Sequence, residues 1–92
     1  MFKNLLKKMR EKIQTHQYVI TIHAEAEMED DRLTFFDIEH AILTGKIIKR
    51  QKHETGEWKY LIRGCSLAES EMMVVSQLSM TGELVIITVF LL

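Results

Sequence analysis

The sequence predicts a single α+β domain, with N-terminal helices packed on a four-stranded, mostly antiparallel twisted sheet. Three observations carry that expectation. Up to Gly45 the apolar residues recur at helical spacing, and beyond it the period falls to two. Turn signals at residues 54–57 and 80–83 divide the second half into strands. The 92 residues contain no proline, low-complexity stretch or internal repeat, so nothing marks a linker.

The elements follow in order. Phe2, Leu5, Leu6, Met9 and Ile13 form one apolar stripe with lysines opposite, a basic amphipathic helix over residues 1–16. Residues 18–22 are aromatic and β-branched, and read as a short extended lead-in. Thr21 then caps a second helix whose inner face carries Ala24 and Met28. Thr34 and Asp37 have the spacing of a capping box, flanked by Leu33 and Ile38 as a hydrophobic staple. That third helix runs through Ala41 and Ile42, and Gly45 is expected to end it in a left-handed conformation.

Strands are expected at residues 46–53, 58–63, 71–79 and 84–92, with a loop over 64–70. In the second, Trp58, Tyr60 and Ile62 share one face, and Lys59, Leu61 and Arg63 the other. The last strand has almost no polar alternation, which predicts a central position covered on both faces. Its apolar character also predicts a protein partner or a homo-oligomer.

Net charge is −1, so bulk electrostatics do not announce a nucleic-acid binder. The charge is segregated, however. Residues 1–12 carry a net +4, residues 25–39 a net −6 and residues 46–63 a net +4. No apolar run suffices for a membrane span, and the N-terminal stretch lacks a signal-peptide core. A single cysteine, Cys65, excludes an internal disulfide and a cysteine-rich zinc site. The expected compartment is the cytoplasm, with no membrane association, metal or cofactor.

Several short motifs recur together. They are His23-Ala24, Leu33-Thr34, Asp37-Ile38-Glu39-His40-Ala41-Ile42 and Gly45-Lys46-Ile47-Ile48, then Thr55-Gly56-Glu57-Trp58-Lys59-Tyr60, Ile62-Arg63-Gly64 and Gly82-Glu83-Leu84-Val85. In this order they resemble a bacterial family known as domain of unknown function 4258, over about residues 18–90. The resemblance implies a fold similar to the RelE and MqsR toxins. It also implies the toxin component of a type II toxin–antitoxin pair: a metal-independent endoribonuclease acting on mRNA, free or on the ribosome. The implied partner is a zinc-finger antitoxin similar to MqsA, or a DNA-binding antitoxin. Glu27 and Asp31 stand where many members have arginine, Arg32 where they have glycine, and Phe90 where a tyrosine is usual.

Metal-independent RNA cleavage needs a base for the 2′-hydroxyl, an acid for the leaving oxygen and cations for the phosphate. His23 is the acid/base candidate, since an imidazole titrates near ~6.5. Arg63 and Lys59 share a strand face and are candidates for gripping the phosphate, and Arg50, Lys49 and Lys52 for binding RNA. The plainer alternatives are a locally bonded helix-start histidine and a solvated hairpin face. His40, His53 and Cys65 carry no motif that specifies a role. His23 and Glu27, four apart, are two ligands and not a metal site. The rival function is a catalytically silent protein-interaction domain with the same fold.

Overall fold

The computed structural model describes residues 2–52 and 54–92. Helices α1 (Lys3–Gln14), α2 (Ile22–Asp30) and α3 (Phe35–Thr44) accompany strands β1 (Tyr18–Ile20), β2 (Lys46–Lys52), β3 (Trp58–Cys65), β4 (Glu71–Leu78) and β5 (Leu84–Leu91). The sheet has five strands in the order β1-β5-β4-β3-β2. Three of its pairings are antiparallel, and β1 lies parallel to β5. The expectation of four strands is therefore corrected. The lead-in at Tyr18 pairs with Leu84, and its β-branched residues add a short fifth strand. Strand β3 also runs on to Cys65, because Gly64 and Cys65 keep pairing with Met72 and Glu71.

All three helices lie on one side of the sheet. Met9 and Ile13 from α1, Ala24 and Met28 from α2, and Ile38, Ala41 and Ile42 from α3 meet Ile62, Met72, Val74, Leu84, Ile86 and Val89 in one core. The second side is covered by none of the helices. The last strand is thus interior over Leu84–Ile86 only, and it is covered on one face rather than two.

Gly45 does not take the left-handed conformation. Its φ of −89° and ψ of −168° are extended. The position needs glycine for another reason: a Cβ there would lie 2.5 Å from the Arg63 carbonyl oxygen. At Gly64 a Cβ would lie 2.8 Å from the Ala41 Cα. Helix α3 therefore rests on β3 almost backbone to backbone. Arg10 of α1 fastens the far end of α3, with Nε donating to the Ile42 carbonyl at 3.0 Å and Nη2 to that of Gly45 at 2.8 Å. A cation among C-terminal carbonyls also offsets the helix dipole.

Left-handed residues occur at the ends of α1 and α2 instead. His16 and Arg32 each have φ of 56°. Gln17 donates to the Lys12 carbonyl and His16 to that of Ile13, and Leu33 donates to Met28 and Arg32 to Glu29. Both are the paired bonds of a Schellman motif, whose favoured residue is glycine.

The capping box forms at α3. Asp37 Oδ2 accepts from the Thr34 N–H at 2.8 Å and the Thr34 hydroxyl at 3.2 Å, and Oδ1 accepts from the Leu67 N–H at 2.9 Å. One carboxylate thus joins the helix start to the β3–β4 loop. Burial works against its ionisation, but the Thr34 and Leu67 N–H groups, the Thr34 hydroxyl and nearby His40 outweigh it. They hold the carboxyl below its ordinary value.

Two stability measurements follow. Arg32→Gly should stabilise the fold by about 1 kcal/mol, because glycine adopts this conformation without a Cβ penalty; an unchanged or lower denaturant midpoint would contradict the C-terminal assignment. Asp37→Ala should cost about 2–3 kcal/mol near neutral pH. A depressed folded pKa adds stability above the unfolded value of about 3.9, and that stability disappears as pH falls through the folded value. The parent's acid-side loss should therefore be shallower in the variant, as read from denaturant midpoints between neutral and acid pH.

Candidate nucleic-acid interface

The pleat of β3 sends Trp58, Tyr60, Ile62 and Gly64 toward the helices and Lys59, Leu61, Arg63 and Cys65 to the uncovered face. In β2 a register shift falls between Ile47 and Lys49. The extra residue places Lys46 opposite Arg63 and Lys49 opposite Leu61, so both lysines join the uncovered face. Two adjacent isoleucines, Ile47-Ile48, break the alternation in the sequence and were the available signal for this bulge. Lys46, Lys49, Lys59 and Arg63 therefore stand on one face. Arg50 and Lys52, opposite Tyr60 and Trp58, stand on the other. The structure divides the sequence-derived cation set between the two sides of the hairpin.

Register continues this face across the sheet. Lys46 lies beside Arg63, Arg63 beside Met73, and Met73 beside Phe90. A second row runs Lys49, Leu61, Val75 and Thr88. Met73 and Val75, on the middle strand, are only 7% and 9% exposed although no helix covers them. Phe90 remains 38% exposed. The face is thus an apolar strip with cations along the β2–β3 side.

Arg63 meets the Glu71 carboxylate at 3.1 Å, with both side chains at least half exposed. An exposed pair of this kind contributes at most about 1 kcal/mol, so a phosphate can take the carboxylate's place.

His23 lies elsewhere. It sits in the first turn of α2, begun by Thr21, whose hydroxyl accepts from the Ala24 N–H and donates to the Ile87 carbonyl. The His23 ring is 69% exposed, with Nε2 3.3 Å from Glu27 Oε1. That same oxygen accepts the Val89 N–H at 3.1 Å, and Asp31 accepts the Leu91 N–H at 3.3 Å. The two carboxylates satisfy the edge of β5 beyond the end of β1. Sequence reasoning counted them only as charge. His23 is therefore held, through Glu27, at the outer edge of β5, on a helix that packs on the covered side of the sheet, whereas Arg63 stands on β3 on the uncovered face. Two strand spacings, roughly 10 Å, separate the β3 and β5 backbones.

A third polar group is structural. The Tyr18 hydroxyl donates to Glu39 at 2.6 Å, with His16 3.9 Å from the same carboxylate oxygen. Burial, then the hydrogen bond and charge of Glu39, push the phenol up to about 12, so it stays a donor tying β1 to α3. His40 offers its carbonyl to Thr44, and Cys65 is a half-buried free thiol. His53 lies outside the described residues. Among the described residues no three His, Cys, Asp or Glu side chains are grouped to hold a metal, and no helix is long and apolar enough to cross a membrane.

The arrangement can hold a polyanion on the cationic side of the face, with an imidazole exposed at the β5 edge of the sheet. No curated protein and no solved structure matches the chain. The model of the family described as domain of unknown function (DUF4258) matches residues 20–91, and the chain belongs to that family.

Proposed function

We propose that the chain is an RNA-cleaving toxin component of a type II toxin–antitoxin pair, with a RelE- or MqsR-like fold, acting on mRNA laid across the uncovered face of its sheet. One observation carries this reading. Four cations share that face, and His23, through Glu27, stands at the β5 edge across the sheet from them. Lys46, Lys49, Lys59 and Arg63 take phosphates, and Phe90 offers a flat apolar surface for a base. His23, whose Nε2 faces Glu27, keeps its other ring nitrogen for proton transfer. In the cleavage step the 2′-oxygen loses its proton and bonds to phosphorus as the 5′-oxygen leaves and is protonated. The products are a 2′,3′-cyclic phosphate and a free 5′-hydroxyl. The partner is a zinc-finger or DNA-binding antitoxin, and the compartment the cytoplasm.

The second reading is a catalytically silent interaction domain, binding protein partners or a second copy. It is favoured by Phe90, which supplies no hydroxyl where the family's tyrosine would, and by the apolar strip between the cations and His23.

Binding and cleavage are tested separately. Purified protein should bind unstructured RNA with an affinity that falls as salt rises, losing a log–log slope of about 0.7 for each phosphate contact removed. Lys49→Ala and Lys59→Ala should each reduce that slope, and Lys7→Ala on α1 should not. Induced alone in a bacterial host, the chain should arrest growth and shorten transcripts. His23→Ala and Arg63→Ala should relieve the arrest at equal expression level and thermal stability. A folded, abundant, harmless chain that cleaves no RNA on or off ribosomes would instead support the interaction domain.

A further inference from the structure

Arg50 and Lys52 occupy the opposite side of the hairpin from Lys49 and Lys59. Both reach Trp58, with the Arg50 guanidinium carbon 4.1 Å and the Lys52 ammonium 5.8 Å from the ring centroid. Trp58 is 38% exposed. Beside it runs a groove of about 290 Å³ lined by Leu5, Glu57, Trp58, Tyr60, Ser79 and Met80. It lies on the helix side of the sheet, between the start of β3 and the end of β4, with Trp58 standing between it and the edge strand β2.

We propose that this groove is a subsite for one unpaired nucleobase, stacked on Trp58, with the adjoining phosphates held by Arg50 and Lys52. The inference rests on the RNA-binding reading and extends it to a second surface. Cations stand on both sides of the edge strand, so an RNA chain leaving the uncovered face past Lys49 meets Arg50 and Lys52 as it rounds β2. A guanidinium is flat, and Arg50 already stacks on the indole. The ring also lines the groove and is 38% exposed, and aromatic rings of this kind are the usual platforms for splayed bases. Tyr60 forms part of the groove wall, with its ring in edge contact with Phe2 at 6.0 Å.

Glu57 sets the preference among bases. A carboxylate is an acceptor with two oxygens, and guanine presents two neighbouring N–H donors on its pairing edge. Adenine, cytosine and uracil each place an acceptor next to a donor there. The subsite thus favours guanine.

Trp58 is the sole tryptophan of the chain, so its fluorescence reports on the groove alone. Short single-stranded uridine oligonucleotides, with and without one internal guanosine, are titrated into the intact protein. End-label anisotropy reads total binding, and indole emission reads stacking. The guanosine oligonucleotide should bind tighter and quench Trp58. Trp58→Leu should lower its affinity roughly tenfold, with Trp58→Phe recovering part of the loss. Glu57→Gln should abolish the preference for guanosine, so that the two oligonucleotides bind with equal affinity. Thermal melts confirm that each variant is folded. Anisotropy that reports binding while indole emission stays constant, with Trp58→Leu at parental affinity, would overturn the subsite and leave the RNA reading intact. Absence of binding to either oligonucleotide at low salt would overturn both.

Discussion

The close approach of Ala41 to Gly64 is the contact on which the rest of the architecture depends. With no side chain at Gly64 or Gly45, α3 settles onto β3 at near-backbone distance. That contact directs Ile38, Ala41 and Ile42 into the core, where they meet Ile62 and Val74. It also assigns the two sides of the sheet. Once Ile62 faces the helices, the pleat sends Leu61 and Arg63 to the opposite face, with Lys46 and Lys49 brought alongside by the bulge. Arg10 and Asp37 hold the two ends of the same helix through charged hydrogen bonds. Which face of the sheet stays uncovered is a consequence of how one helix is seated.

Charge is spent differently on the two sides. Two of the acidic residues on and just after α2 serve the backbone: Glu27 and Asp31 accept the outward N–H groups of Val89 and Leu91, where β1 is too short to pair. An unsatisfied strand edge invites another chain, and carboxylates bonded to it close that route. The basic residues of the hairpin have looser attachments. Lys46, Lys49 and Lys59 lie on a surface no helix covers, and the Arg63–Glu71 pair is solvent-exposed. A near-neutral chain therefore presents a locally cationic face, which is the quantity a phosphate senses.

Much of the fold was legible because the local signals agreed. The apolar stripe of α1, the Thr21 and Thr34 caps and the alternation in β3 reappear in the structure. What was not legible depended on distance in the chain. Residues 18–20 carry β propensity, but only Leu84–Ile86, more than sixty positions away, make them a strand. Gly45 matched the position of a left-handed stop, while its actual constraint is the carbonyl of Arg63. The left-handed conformation fell to His16 and Arg32, which carry no glycine to announce it. For the site, charge counting found the hairpin cations but not their division between faces, which turns on one bulged residue. His23 and Arg63 were paired by chemistry alone, and topology sets one at the β5 edge and the other on β3.

The central claim is that the uncovered sheet face receives RNA. Amide chemical-shift mapping tests it without assuming catalysis or a sequence preference. On addition of unstructured RNA to labelled protein, the amides of Lys46, Lys49, Leu61, Arg63, Met73 and Phe90 should move together, while those on the solvent side of α3 stay in place. Shifts confined to the acidic helices or to α1, with the β2–β5 amides unmoved at saturating RNA, would contradict the account.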